Sequence, residues 1–140
     1  MKSAVIGAGL ILAACADVLV LDSEATLSLP ERIFGVISGH AHLSPWIGAG
    51  GAAVATLTGE PIDPHTFSYG GVIVVSSAEV NVEAERLAQS VAQNDPLLMQ
   101  SIKSGWLESR RAIAGAYRTE IEHTITLDLV NFSLPMSPEK

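Results

Sequence analysis

The sequence predicts an α/β protein with short parallel strands, helices packed on them and a helical C-terminal region. Three observations predict it. The runs "VLVL" (18–21) and "VIVV" (72–75) are uninterrupted apolar stretches rich in β-branched residues, as in strands buried on both faces of a parallel sheet. Residues 82–93 and those after 96 change to helical spacing. The chain has 140 residues, 48% hydrophobic and 16% charged, which suits one domain with one core and is too apolar for disorder.

Taken in order, "GAGLILAACAD" (7–17) reads as a helix start led by small residues. The apolar run 4–16 around it is too short to span a bilayer, which takes roughly 20 residues. "VLVL" is the first strand, and "ATLSLPE" (25–31) the second. That second strand alternates apolar with polar until Pro30 stops it, delivering Glu31 at its exit. "GVISGHAHLSPWIGAGG" (35–51) is a loop or a broken helix. "AAVATLTG" is helix-compatible and stops at Gly59. "VIVV" is the next strand. Asn81 is expected to cap a helix whose Ala84, Leu87, Ala88 and Val91 share one face. Asp95 and Pro96 then open a last helix, with Ile102, Trp106, Ile113, Tyr117 and Ile121 on one stripe; Gly105 and Gly115 weaken it and could bend it. "SLPMSPEK" is expected to be a frayed tail.

The net charge is −7, which argues against a nucleic-acid surface or a polybasic membrane patch. One cysteine, Cys15, excludes an intrachain disulfide and a multi-cysteine zinc site. No P-loop, G-x-S-x-G, H-E-x-x-H or complete dinucleotide fingerprint is present.

Several residues could carry chemistry. Around Gly7, Ala8 and Gly9 the first helical N–H groups lack intrahelical partners, and small side chains let an oxygen anion approach. The same glycines also suit plain tight packing of helix on sheet. Glu31 follows an apolar strand, and Ile33 and Phe34 beside it imply the partial burial that suits a carboxylate to proton transfer. Its other reading is a solvated turn residue paired with Arg32. His40 and His42 form an H-x-H pair: on a strand it would face one side and could hold a metal, but no third ligand is evident. A loop histidine near a cleft could also polarise a substrate, but both are expected to be ordinary loop histidines.

In this order the pieces resemble the crotonase (enoyl-CoA hydratase/isomerase) superfamily. "GAGLILAACAD" followed by "VLVLD" is similar to the family's glycine-led helix and buried strand. "SEATLSLPERIFGVISG" is similar to its "F-x-x-P-E-x-x-x-G-x-x-P-G". "LTGEPIDPHTFSYGGVIVV" resembles its "L-T-G-x-x-I-x-A-x-x-A-x-x-x-G-L-V", and "ERLAQSVAQNDPLLMQSIKSGW" its "A-x-x-x-A-x-x-S-P-x-A-x-x-x-x-K". The resemblance covers the C-terminal half of the family's domain. It implies a partial crotonase-like domain over residues 1–123 and a tail over 124–140.

By the same resemblance the substrate is an acyl-CoA thioester, with coenzyme A part of it and no cofactor or metal besides. Ala8, with Gly9, falls on an oxyanion-holding amide. Gly39 falls beside the reacting centre, and Glu31 on a catalytic glutamate. Ile11 replaces the glutamate that hydratases place one turn after the glycines. One remaining carboxylate fits double-bond isomerisation better than hydration. The pocket floor, "SGHAHLSPW" with His40 and His42, departs from the family's "P-G-x-G-x-x-x-R-L". A homo-oligomer, trimer or hexamer, in the cytoplasm, with no nucleic acid or membrane partner, is implied. Two alternatives stand beside this. One is a truncated, non-catalytic homologue. The other is a small lipoprotein anchored through Cys15, since "MKSAVIGAGLILAAC" also reads as a lipoprotein signal; "ADVLVLD" directly after the cysteine leaves no tether, and Cys15 is expected inside a packed helix.

Overall fold

A computed structural model of the chain describes residues 3–37 and 39–131. Four strands of three residues form two parallel pairs. β1 (Ala4–Ile6) runs beside β3 (Thr26–Ser28), with Val5 opposite Leu27. β2 (Val20–Asp22) runs beside β4 (Ile73–Val75), with Leu21 opposite Val74. Helix α1 (Ala8–Ala14) links β1 to β2. The apolar runs therefore become parallel strands, as expected, but shorter ones: Val18 lies outside β2 and is exposed. Ala4–Ile6 forms an additional strand, which the helical reading of the opening residues did not anticipate.

After β3, Pro30 opens a 3-10 turn, Pro30–Phe34, closed by Gly35 in the left-handed region. Then comes α2 (His40–Thr58), broken at Gly48 (φ 75°, ψ 160°). This is the broken helix of the two alternatives, and His40 and His42 stand in its first turn rather than in a loop. The Leu43 N–H bonds the Gly39 carbonyl at 2.9 Å, which starts the helix ahead of both histidines. At the other end the Gly59 N–H closes on Ala55 O at 3.0 Å. A second 3-10 turn, Pro64–Gly70, carries the fully buried Phe67 into the core. There it joins Leu10 of α1, Leu27 and Leu29 around β3, and Leu43, Ala52 and Ala55 of α2.

Helix α3 (Val80–Ala92) starts one residue before the cap expected for it. Ser76 and Glu79 form the preceding turn: the Ser76 N–H and hydroxyl both donate to Glu79 Oε2, at 3.2 and 2.5 Å. Asn81 is consequently inside the helix. The face Ala84, Leu87, Ala88, Val91 is not buried. Helix α4 (Pro96–Asn131) begins as expected, with Leu98 N–H on Asp95 Oδ1 at 2.9 Å. It continues without a break at Gly105 or Gly115 and runs through Thr124. Along its stripe, Ile113, Tyr117 and Ile121 are half-buried, whereas Ile102 and Trp106 remain exposed. Arg110 fastens α4 to the end of α1 by donating to Cys15 O (2.6 Å) and Ala16 O (2.5 Å), a cation placed at the negative end of a helix. Lys103 adds an ion pair to Asp17 at 2.7 Å. The segment "SLPMSPEK" lies outside the described residues.

Candidate functional site

Glu31 is placed by the stop at the end of β3. Pro30 cannot continue the ladder, so the chain turns, and the second residue of that turn is Glu31. Opposite it is Gly7 (φ 60°), the residue between β1 and α1. Its N–H is held by Ser28 O at 2.9 Å. A Cβ built on Gly7 would stand 2.8 Å from Glu31 Oε1. Only glycine accommodates both the positive φ and a carboxylate lying on the backbone.

Glu31 is half-buried, and its Oε2 is buried with no hydrogen-bond partner among the described residues. Arg32 does not neutralise it: the Arg32 Nε donates to Thr58 O at 2.7 Å, at the far end of α2. Ile33 and Phe34, expected to shelter the carboxylate, are themselves exposed. The shelter comes instead from a cavity of about 300 Å³ lined by Leu29, Glu31, Val36, Ile37, His40 and Leu127, among others. A carboxylate with a free, water-excluded lone pair is well suited to accept a proton from carbon.

At the start of α1, the Gly7 carbonyl accepts the Leu10 and Ile11 N–H groups, at 2.9 and 3.2 Å. The two amides before them, Ala8 and Gly9, precede the first intrahelical acceptor. Ala8 directly follows the residue against which the Glu31 carboxylate lies. The structure thus sets Glu31 against Gly7, next to the Ala8 amide, and puts His40 on the same cavity as Glu31. Gly39 joins them through Leu29: a Cβ on Gly39 (φ 93°) would fall 2.5 Å from Leu29 Cδ1. The Ile11 side chain is partly buried against the hydrophobic core; like Gly7, Ala8, Gly9 and Gly39, it is not among the residues lining the Glu31 cavity.

The two histidines diverge. On a helix, residues two apart point about 200° apart, so the shared face available on a strand is lost. His40 lines the Glu31 cavity. His42 lines a second cavity of about 510 Å³, with Cys15, Trp46, Trp106 and Arg110. There its ring meets Tyr117 edge-on, centroids 4.4 Å apart, and Nδ1 is buried with no partner among the described residues. Burial pushes the His42 imidazole below its usual range, while the charge of Glu120 opposes that shift. Among the described residues no group of three or more His, Cys, Asp or Glu side chains could hold a metal ion. No helix among the described residues is long and apolar enough to cross a membrane. Cys15 is not inside a packed helix: it caps the C-terminus of α1 and is exposed.

Residues 1–131 match the enoyl-CoA hydratase/isomerase family. The chain belongs to that family. A Δ(3,5)-Δ(2,4)-dienoyl-CoA isomerase, mitochondrial, of Dictyostelium discoideum is 31% identical over 109 residues, 74% of this chain and 37% of that one. A (7aS)-7a-methyl-1,5-dioxo-2,3,5,6,7,7a-hexahydro-1H-indene-carboxyl-CoA hydrolase of Mycobacterium tuberculosis is 28% identical over 128 residues, 89% of this chain and 51% of that one. In fold, an enoyl-CoA hydratase of Mycobacterium avium superposes with a TM-score of 0.84 at 18% identity, covering 94% of this chain and 62% of the other. The chain spans about half, or less, of the length of these two sequence relatives.

Two contributors to the site lay beyond sequence reasoning. Thr124 and Glu120, on α4, bond the backbone beside Gly39 and His40. They are separated from it by 87 and 79 positions, and no local motif marks them.

Proposed function

We propose that this family member acts on an acyl-CoA thioester and shifts a carbon–carbon double bond, with Glu31 as the only carboxylate that moves the proton. The observation that carries the reading is the Glu31 carboxylate: one oxygen against Gly7 at the start of α1, the other buried beside a largely apolar cavity with no hydrogen-bond partner among the described residues. Glu31 takes a proton from the carbon next to the acyl chain's conjugated or isolated double bond. The electron pair moves toward the thioester oxygen, and the Ala8 amide, with Gly9, stabilises the resulting charge. The same carboxyl then returns the proton to a different carbon, and the double bond has moved with no net gain or loss of atoms.

Hydration is served best by a second carboxylate to orient water. Position 11, where that glutamate is expected, holds an isoleucine packed toward the core. The isomerase name of the Dictyostelium relative supports the same choice. The chain corresponds, in this reading, to the C-terminal half of the family's domain and uses no cofactor beyond the coenzyme A of its substrate. We place it in the cytoplasm, as an assembly of identical copies. Following double-bond migration and hydration separately with one enoyl-CoA tests the assignment. Migration is expected to be the faster reaction; hydration at an equal or greater rate would remove the isomerase assignment.

A further inference from the structure

We propose that Thr124 and Glu120 are positioning residues for Glu31, so that α4 holds one wall of the Glu31 cavity in place. Where it concerns turnover, this rests on the function proposed above. The wall follows the Gly35 turn and includes Val36 and Ile37, both lining the cavity. The Val36 N–H bonds the Glu31 carbonyl at 3.1 Å, so a shift of this strip is transmitted to the Glu31 backbone.

Two side chains from α4 secure it. The Ile37 N–H donates to Thr124 Oγ1 at 2.7 Å, and the Thr124 hydroxyl lies 3.1 Å from both Ile37 O and Glu120 O, either of which can accept its proton. Thr124 is buried. Four residues on from Ile37, the Ala41 N–H donates to Glu120 Oε1 at 2.7 Å. A carboxylate on a first-turn amide of α2 also meets the positive end of that helix. These bonds flank Gly39 and His40, and Leu127, one turn after Thr124, lines the same cavity. Glu120 Oε2 is buried with no hydrogen-bond partner among the described residues, and the carboxylate's charge also acts on the His42 imidazole.

The test uses the full chain with carbon-13-labelled glutamate. The Glu31 carboxyl resonance is identified by its loss in Glu31→Gln. Thr124→Val keeps the shape and removes the hydroxyl; Thr124→Ser keeps the hydroxyl. With positioning, Thr124→Val moves the Glu31 resonance toward that of exposed glutamates and lowers kcat for double-bond migration at least tenfold, with KM changed less than threefold. Thr124→Ser restores both. If Thr124→Val does not fold, Glu120→Met, which removes the acceptor for Ala41, must produce the same displacement. A folded variant in which the Glu31 resonance stays at its wild-type position overturns the proposal. A wild-type chain that turns over no enoyl-CoA, but whose Glu31 resonance still responds to Thr124→Val, supports the positioning and contradicts the function instead.

Discussion

Gly39 joins backbone freedom to close packing: it caps α2 at φ 93°, and Leu29, almost fully buried, occupies the space a side chain would need. Gly39→Ala therefore combines left-handed strain of about 1–2 kcal/mol with overpacking of about 1–3 kcal/mol. Urea unfolding is expected to show a loss of about 2–5 kcal/mol; a loss below about 0.5 kcal/mol would mean that the Leu29 contact yields freely. At this scale Glu31 was legible, because "LSLPE" ends a strand with a proline and leaves one carboxylate at the exit. Its contact with Gly7 was not, since it depends on how two separate turns meet. The histidines were misplaced for a local reason. Glycine and proline around "GHAHLSP" signal a loop, whereas Gly39 serves as a helix cap and Pro45 falls inside the helix.

Among the elements, Asp22 at the end of β2 ties the two parallel pairs together. It accepts from the Ser77 hydroxyl after β4 (2.7 Å), the Ser3 hydroxyl before β1 (3.1 Å) and the Glu24 N–H (2.9 Å). These bonds, that of Ser77 foremost, hold its carboxyl below the usual 3.8. The folded state thus favours the ionised form, and the stabilisation is complete above the unfolded value and fades as pH falls through the folded one. Ser77→Ala is expected to melt below wild type at pH 7, with the gap closing as pH falls below the unfolded value of 3.8 and through the lower folded one. A gap independent of pH would show that Ser77 acts through packing alone. Strand positions were legible from "VLVL" and "VIVV", although pairing within each sheet was not. The start of α3 is readable too: "SSAE" carries the S-x-x-E spacing of a capping turn, but Asn81, one residue into the helix, is an equally good cap by residue type and competes with it.

Over the whole molecule, much apolar surface is uncovered. Leu12, Val82, Val91, Leu97, Leu98 and Ile102 are all more than half exposed, although the helical spacing of α3 and α4 marks several of them as burying residues. Periodicity identifies the apolar face of a helix and not the surface that covers it. We propose that further copies of the chain cover this surface. Light scattering during size exclusion at micromolar concentration should give a mass of at least a dimer, and a clean monomer would contradict the assembly. The central claim is that one carboxylate, Glu31, moves the proton, and the rate of double-bond migration in wild type against Glu31→Gln tests it most directly. The amide nearly preserves shape but cannot take up the proton. The expected result is a fall of roughly 10²–10⁴-fold, the share general base catalysis contributes, with acyl-CoA affinity retained. Equal rates in the two proteins would contradict the account.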